Sequence, residues 1–280
     1  MKTKLSQFCT DTNSSTDKVG DVFARGMDDF IFITTQRSKA ETFLHQMHTG
    51  FPGYNCTIQE SKMATNLSVK TTGNGRPLTF CGAILHNHLG SLVCRPDFQG
   101  LYGSNIVYCS KFLMMFQNNV NEFISSKMLF VCGLYVKPLY VNVELNGKDT
   151  VIINLFEIAY INGLKLHSML VSMYFVMKKP LPTNCTWLKT LILKMAEKFR
   201  RCYSKVVTQH NLKNESIEST LVFKISLYAC QVVLKEKYSA YYTNQNLPFI
   251  KKELFIPIEL KEALKERGTF KIKSYAYQKL

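Results

Sequence analysis

The chain has 280 residues, of which 46% are hydrophobic and 20% are charged, a balance that excludes a largely disordered protein. Its formal net charge is +15 at pH 7, which favours a polyanionic partner because lysine and arginine neutralise phosphates and release their counterions. Nine cysteines occur without a Cys-x-x-Cys pair, and this pattern indicates reduced thiols in a nuclear or cytosolic compartment.

The first part of the chain combines a polar start with a strongly apolar hairpin pattern. Residues 1–20 are rich in Ser, Thr, Asp and Lys and predict a loop or loose leader. In the segment 21–35, two apolar, β-favouring runs flank Asp28 and Asp29. This arrangement predicts a β-hairpin with the two acids at its turn.

A helix and further strands are predicted after this hairpin. Ser38 is expected to cap a helix whose apolar residues have helical spacing, and the sequence Gly-Phe-Pro-Gly at 50–53 ends it. A short strand is predicted at 54–58. A second hairpin, turning at 86–88, is predicted from strands at 79–85 and 89–94.

From about residue 96 the apolar spacing becomes helical and stays so. The longest apolar stretch, 151–177, contains Glu157, Lys165 and His167, so it predicts a buried helix rather than a membrane span. We expect a small sheet-bearing segment followed by a larger helical domain, with helices at 106–123, 150–177, 185–207, 217–234 and 260–265.

Asp28 and Asp29 are the sharpest chemical feature of the sequence. Two carboxylates inside an apolar hairpin are costly unless a cation neutralises them, and Mg²⁺ prefers carboxylate oxygens together with substrate phosphates. In two-metal phosphoryl transfer, such acids hold the ions that assist the attacking and leaving oxygens. An Asp-Asp pair is also common in ordinary turns, so both interpretations remain open on the dipeptide alone.

The order of several motifs gives this dipeptide a context. The sequence MDDFIFITT at 27–35, with the residues that follow it as far as Lys62 and Asn66, resembles polymerase motifs C and D of the telomerase reverse transcriptases. The sequence Phe-Cys-Gly at 80–82 resembles their motif E, the primer grip. The helical stretch that follows, including 127–146, is similar in pattern to the family's carboxy-terminal extension.

The resemblance implies an architecture and an activity. It implies an α/β palm remnant, a small antiparallel sheet with helices, at 21–95, after the divergent leader at 1–20. A mainly α-helical thumb would occupy 96–280. The implied enzyme is an RNA-directed DNA polymerase that adds telomeric repeats to chromosome 3′ ends in the nucleus. It would use Mg²⁺, dNTPs, a template RNA, a DNA primer and their RNA–DNA hybrid.

The resemblance also implies roles for individual residues. Asp28 and Asp29 would be catalytic metal ligands, and Lys62 would donate a proton to the departing pyrophosphate or steady its charge. The primer's 3′ end would be placed by Phe80, Cys81 and Gly82. Without the resemblance, Lys62 is an ordinary exposed lysine and the Phe-Cys-Gly sequence is a structural hairpin.

Basic residues in the helical region are candidates for phosphate contacts. Lys127 lies in the stretch that resembles the extension, and a basic cluster at 198–205 has Phe199 and Tyr203 beside it. The residues expected to bind nucleic acid are Lys127, Lys198, Arg200 and Arg201. A solvated helix face is the alternative interpretation of such a cluster.

Some expected parts are missing from the sequence. Reverse transcriptases need a third aspartate in motif A, together with motif B and the fingers, and the first 20 residues contain none of these. Gly26 and Phe80 replace a bulky apolar residue and a tryptophan of the usual pattern. We therefore expect a fragment, spliced form or truncated gene model that cannot polymerise. The alternatives are a retroelement-type reverse transcriptase fragment and a non-catalytic, nucleic-acid-binding short isoform.

Overall fold

A computed structural model shows two compact units, residues 1–92 and 93–280, each with its own core. The predicted leader at 1–20 lies outside the part of the chain that the structure describes. The described residues are 21–26, 29–55, 57–59, 63–65, 67, 78–88, 91–96, 119–177, 186–212, 216–241 and 256–266.

The first unit begins with the predicted hairpin. Strand β1 (Val22–Gly26) pairs antiparallel with β2 (Asp29–Ile33), and Gly26 lies opposite Asp29. Because side chains alternate along a strand, Phe30 and Phe32 share one face of β2 while Ile31 is buried on the other. The prediction of a hairpin at 21–35 is confirmed.

Helix α1 (Arg37–Thr49) follows, but Ser38 does not cap it. The side chain of Thr34 accepts the backbone N–H of Gln36 at 3.0 Å, so the chain turns into the helix before Ser38 is reached. The helix ends at Gly50, whose positive φ of 68° lets its N–H bond the carbonyls of the last turn.

The strand predicted at 54–58 is wrong in the part that the structure describes. A short 3₁₀ helix (Pro52–Tyr54) occupies its start, and Pro52 suits the first turn of such a helix. Asn55 then has a left-handed conformation with φ of 48°. Neither conformation continues as an extended strand.

The second sheet has the order β3 (Leu78–Phe80), β4 (Ala83–His88) and β5 (Ser91–Pro96). Two neighbouring strands, β4 and β5, are present as predicted, but the turn at 86–88 was placed too early, since those residues continue β4 and β5 begins at Ser91. The strand predicted at 79–85 is also divided, because an additional turn at Cys81 and Gly82 separates β3 from β4. Both have positive φ, 49° and 78°, which a two-residue hairpin turn of the primed type requires.

Helices make up the described part of the second unit. They are α2 (Val120–Val131), α3 (Pro138–Val141), α4 (Val143–Asn146), α5 (Lys148–Met177), α6 (Thr186–Gln209), α7 (Ser219–Tyr241) and α8 (Ile258–Glu266). Four of the predicted helices correspond to α5, α6, α7 and α8. None of the described helices is long and apolar enough to cross a membrane.

Helix α2 differs from the prediction of a helix at 106–123. Residues 106–118 lie outside the described residues, and α2 begins at Val120, where the side chain of Asn119 accepts the N–H of Glu122 at 3.2 Å. This side-chain cap satisfies one of the helix's unpaired N–H groups. The helix continues to Val131 because Val120, Ile124, Met128 and Val131 are buried at helical spacing.

The core of the second unit surrounds α5. Every residue from 151 to 166 is buried, including Leu166, which packs in one apolar cluster with residues of α2, α6 and α7. Gly163 lies where α7 approaches most closely, since an added Cβ would be 3.3 Å from the Cα of Cys230. A helix covered on all sides needs no polar face, which explains its mainly apolar sequence.

Candidate active-site hairpins and nucleic-acid interface

The β1–β2 hairpin is packed onto α1 by aromatic rings. The ring of Phe43 on α1 lies 5.9 Å from that of Phe23 and 4.9 Å from that of Phe32, and Phe23 stacks with Phe30 at 6.1 Å. These rings pack against buried Met47 and a second buried residue, Phe51. The position of the hairpin relative to α1 is therefore set by interlocking apolar contacts.

A polar cluster ties the base of the same hairpin to α1. The carboxylate of Asp21, whose side chain is 8% exposed, accepts from Lys39 Nζ and from Thr34 Oγ1, both at 2.5 Å. The hydrogen bond from Lys39 lowers the pKa of Asp21, and that from Thr34 lowers it further. The sequence analysis missed this cluster because Asp21 and Lys39 are 18 residues apart and carry no motif.

One of the predicted metal ligands, Asp29, lies at the other end of the hairpin. Asp29 begins β2 and is exposed, so its carboxylate is available to a cation and fits the oxygen ligands that Mg²⁺ prefers. Asp28 and Lys62 lie outside the described residues, and their roles stay predictions. Within the described ranges, no group of three or more His, Cys, Asp or Glu residues is placed to hold a metal ion.

The predicted primer-grip residues form the β3–β4 turn. Phe80 is half-buried and pairs with buried Ala83, while Cys81 lies exposed at the tip. The left-handed conformation of Gly82 costs little for glycine, which permits a tight turn. A compact turn of this kind can approach a ligand closely.

Two thiol environments differ in accessibility. Cys81 is free and exposed, whereas Cys94 and Cys230 are free and buried. Burial raises the pKa of Cys94 to about 11 and that of Cys230 to about 12. Both buried groups therefore stay protonated thiols at neutral pH and serve as small apolar side chains.

Lys127 is part of a stripe along α2. Its Nζ lies 5.7 Å from the ring centroid of Phe123, one turn earlier, as a cation–π contact. One turn later, Phe130 is 69% exposed. The lysine is half-buried and lies beside aromatic surface, and its contact with nucleic acid stays a prediction.

The basic residues predicted on α6 have different surroundings. Lys198 is exposed. Arg200 binds Glu197 through two nitrogens, at 2.8 and 2.6 Å, and donates to Ser219 Oγ at 3.1 Å. Arg201 also donates to Glu197, at 2.7 Å, but its side chain is 71% exposed. Arg200 consequently joins α6 to the start of α7, whereas Lys198 and Arg201 face outward.

Glu197 is held as a carboxylate by these partners. The hydrogen bond from Arg200 lowers its pKa most, and that from Arg201 adds to the effect, so that the pKa falls to about 2. Glu197 thus carries a full negative charge at neutral pH. It offsets part of the positive charge of the predicted interface.

The aromatic residues beside this basic cluster belong to the core. Phe199 and Tyr203 are buried, and the hydroxyl of Tyr203 accepts the N–H of Ile217 at 2.7 Å and donates to its carbonyl at 3.1 Å. Neither ring can stack on a base. The predicted role of the cluster therefore depends on its charges alone.

The predicted residues are distributed over both units. The hairpin residues Asp29, Phe80, Cys81 and Gly82 lie in the first unit, and Lys127, Lys198, Arg200 and Arg201 lie in the second. Each unit holds one part of the predicted machinery: a hairpin with an exposed acid and a tight turn, and helices with outward-facing cations.

Comparison with known proteins gives these features a context. No protein-family model matches the chain. The chain is 26% identical to mouse telomerase reverse transcriptase over 161 residues, which are 54% of this chain and 14% of that protein. It is 25% identical to the dog protein over 193 residues, 65% of the chain and 16% of the relative, and 24% identical to that of Arabidopsis thaliana over 154 residues, 51% and 13%.

These alignments involve less than a fifth of each relative's length. They come from animals and a plant, and they agree with the resemblance carried by the motifs. Over half to two-thirds of its length, this chain is related in sequence to the telomerase reverse transcriptases.

Proposed function

We propose that this chain provides the end of the palm and the thumb of a telomerase reverse transcriptase. Its parent activity is RNA-templated addition of telomeric DNA to chromosome 3′ ends, in the nucleus. The observation that supports this most directly is the succession of two hairpins in the first unit. One places the exposed carboxylate of Asp29 at its end, and the other places Cys81 and Gly82 in a tight exposed turn.

The proposed chemistry assigns a task to each hairpin. Asp28 and Asp29 hold Mg²⁺, which when bound supplies positive charge for the attacking and leaving oxygens of phosphoryl transfer. The packing of Phe23 and Phe32 on Phe43 holds the hairpin that carries Asp29 against α1. The turn at Cys81 and Gly82 contacts the primer strand through its backbone.

The remaining groups handle the substrates. Lys62 donates a proton to the departing pyrophosphate of the dNTP. Lys127, Lys198 and Arg201 contact phosphates of the hybrid between template RNA and DNA primer, which positions the duplex without reading its bases. The chain alone is inactive, because the sequence contains no motif A aspartate and two carboxylates cannot hold both metal ions in line.

A complementation assay tests this function. The purified chain is mixed with a telomerase reverse transcriptase polypeptide that carries motifs A and B but lacks motifs C to E, with its template RNA and a telomeric primer. We expect repeat addition only when both polypeptides are present. Asp28→Ala and Asp29→Ala should abolish it, whereas Asp149→Ala, at an exposed acid on α5, should not.

Two results would contradict the proposal. If repeat addition persisted with Asp28→Ala, the assignment of Asp28 as a metal ligand would be wrong. Incorporation of dNTP by the chain alone, abolished by Asp28→Ala, would show that the missing aspartate is not required.

A second candidate function is binding of nucleic acid without catalysis. It is favoured by the exposed charges of Lys198 and Arg201, which need no metal ion to bind phosphate. Complementation distinguishes the two functions, because a binding module would hold the hybrid yet never restore repeat addition.

A further inference from the structure

Three helices of the second unit each contribute a thiol to one place in the fold. Cys132 ends α2, Cys202 lies on α6 and Cys230 lies on α7, and all three are free. Burial raises the pKa of Cys132 well above its usual value, and the charges of Cys230 and Cys202 raise it further. Both sulfurs therefore lie within electrostatic range of Cys132. We call these three residues the thiol cluster.

The side chain of Cys202 packs directly on the end of α2. A Cβ added at Gly133 would lie 2.5 Å from Cys202 Sγ and 3.4 Å from its Cβ. An atom cannot be placed so close to the sulfur, so the glycine leaves the space that Cys202 occupies. Because Gly133 directly follows Cys132 in the chain, this contact places the Cys202 sulfur beside the backbone that carries Cys132.

The surroundings hold both residues in place. The N–H of Cys132 donates to the carbonyl of Met128 at 3.0 Å, and Cys132 belongs to the apolar cluster that joins α2 to α6. On α6, Phe199 and Tyr203 lie on either side of Cys202 in the sequence, and both are buried. The two helices thus stay together while the core is intact.

The thiols of the cluster differ in their access to solvent. Cys202 is half-buried, whereas Cys132 and Cys230 are each only 1% exposed. Cys230 lies where α7 packs closely on α5, since its Cα would be 3.3 Å from a Cβ added at Gly163. A small solute therefore reaches Cys202 first, and the end of α2 is the part of the fold that Cys202 contacts.

We propose that Cys132 and Cys202 form a redox-sensitive pair, which a peroxide joins into a reversible disulfide bond between α2 and α6. Where glutathione and thioredoxin keep thiols reduced, such a bond is transient and forms in response to an oxidant. The proposal concerns the helical unit alone and does not depend on polymerase activity.

Hydrogen peroxide accounts for all the electrons and atoms of the reaction. The Cys202 sulfur attacks one oxygen of the peroxide, the O–O bond breaks, and a sulfenic acid and one water are formed. The Cys132 sulfur then attacks Cys202 Sγ, so that the S–S bond forms as the S–O bond breaks. The thiol proton of Cys132 leaves with the hydroxyl group as a second water. Two thiols lose two electrons and two protons, and one peroxide becomes two waters.

The bond has a predictable effect on stability. It closes a loop of about 70 residues between positions 132 and 202, and a cross-link over a long loop strongly restricts the unfolded chain. The oxidised chain should therefore resist unfolding better than the reduced chain. If both thiols were only small apolar side chains, which is the usual role of buried cysteines, oxidant would produce no such gain.

The test is peptide mapping of the full chain after exposure to hydrogen peroxide. The folded protein is oxidised, the remaining thiols are blocked with N-ethylmaleimide, and an unreduced digest is analysed by mass spectrometry. We expect a pair of peptides that joins Cys132 to Cys202 and that disappears after treatment with dithiothreitol. The same oxidation in concentrated urea is the control. Its yield of this pair should be several-fold lower, because the fold no longer holds the two thiols at bonding distance.

Two variants separate the pair from other thiols. Cys202→Ser should remove the linked peptides, whereas Cys81→Ser, at an exposed thiol of the first unit, should retain them. Thermal melting followed by circular dichroism measures the effect on stability. Oxidation should raise the Tm of the unsubstituted chain by on the order of 5–10 °C and should not raise that of Cys202→Ser. The melting curve of the reduced variant verifies that it is folded.

Each of four results would overturn the proposal. Cys132 and Cys202 could stay reduced at a peroxide concentration that oxidises the exposed Cys81, or Cys132 could link to Cys230 instead. The yield in urea could equal that of the folded protein, or the bond could lower the Tm. None of these measurements involves repeat addition, so failure here is distinguishable from failure of the proposed polymerase function.

Discussion

The side-chain amide of Asn154 donates to the backbone carbonyl of Cys94 at 2.9 Å, although the two residues are 60 positions apart. The same amide donates to the carbonyl of Tyr140 at 3.0 Å. On the other side, the N–H of Cys94 is accepted by Asn146 Oδ1 at 2.6 Å. Buried side-chain amides thus complete the hydrogen bonding of a strand inside a helical unit.

Replacing Asn154 should be costly for stability. Asn154→Ala leaves the buried carbonyls of Cys94 and Tyr140 without this donor, and each loss costs about 1–3 kcal/mol. We expect the free energy of unfolding to fall by about 2–5 kcal/mol in urea denaturation. Asn121→Ala, at a half-exposed site on α2, is the control and should change it by less than about 0.5 kcal/mol. Equal effects would contradict the role of the amide.

The β3–β4 turn should respond to substitutions that change its left-handed residues. Gly82→Ala places a Cβ at φ of 78° and should destabilise the hairpin by about 1–2 kcal/mol. Cys81→Asn should be neutral or stabilising, because asparagine followed by glycine is the preferred pair for this turn. Urea denaturation measures both changes. A stabilising Gly82→Ala would mean that the turn has another conformation.

Asp21 should make stability depend on pH in the acid range. Its folded pKa lies below its usual value of 3.8, so the stabilisation that it provides is complete above the unfolded pKa. That stabilisation is lost as the pH falls through the folded pKa. In Asp21→Asn this contribution should be absent. Urea denaturation of both proteins from pH 7 to pH 2.5 should show a difference that shrinks below about pH 4, and a difference that grows there would contradict the assignment.

Arg200 and Lys198 should separate stability from binding. Arg200→Ala removes the link from Glu197 to Ser219 and should lower the Tm. Among the described residues, Lys198 makes no ion pair. Lys198→Ala should therefore leave the Tm unchanged while weakening duplex binding. Differential scanning calorimetry and anisotropy on the same samples would measure the two effects. If Arg200→Ala weakened duplex binding without lowering the Tm, Arg200 would be a phosphate-binding residue rather than a structural link.

The sequence predicted the parts of the fold that depend on one long pattern. Helix α5 was predicted at 150–177 and lies at Lys148–Met177, because a long, mainly apolar stretch with helical spacing identifies a buried helix. The hairpin around Asp29 followed equally from the two apolar, β-favouring runs that flank the acids. Both signals are local, so neither needs knowledge of the rest of the chain.

The failures have physical reasons of two kinds. The expected cap at Ser38 and the continuous strand expected at 79–85 were wrong because turn chemistry at Thr34 and at Cys81 took precedence. The contact of Asn154 with Cys94 was not predictable, since it joins distant segments. In the candidate site, the sequence identified the α6 charges. The i, i+3 spacing of Glu197 and Arg200 is a local signal for their ion pair, whereas the contact of Arg200 with Ser219 depends on which helix face meets α7.

The hydrogen bonds at Cys94 also bear on how the sheet behaves in concentrated solution. A strand at the border of a sheet normally offers free N–H and C=O groups to which another polypeptide can add, the first step of many aggregation reactions. At Cys94 in β5 both groups are already taken, by Asn146 and Asn154. The two amides therefore block the addition of another strand at Cys94. Loss of either amide should raise the tendency to form fibrils under conditions in which the chain is still folded.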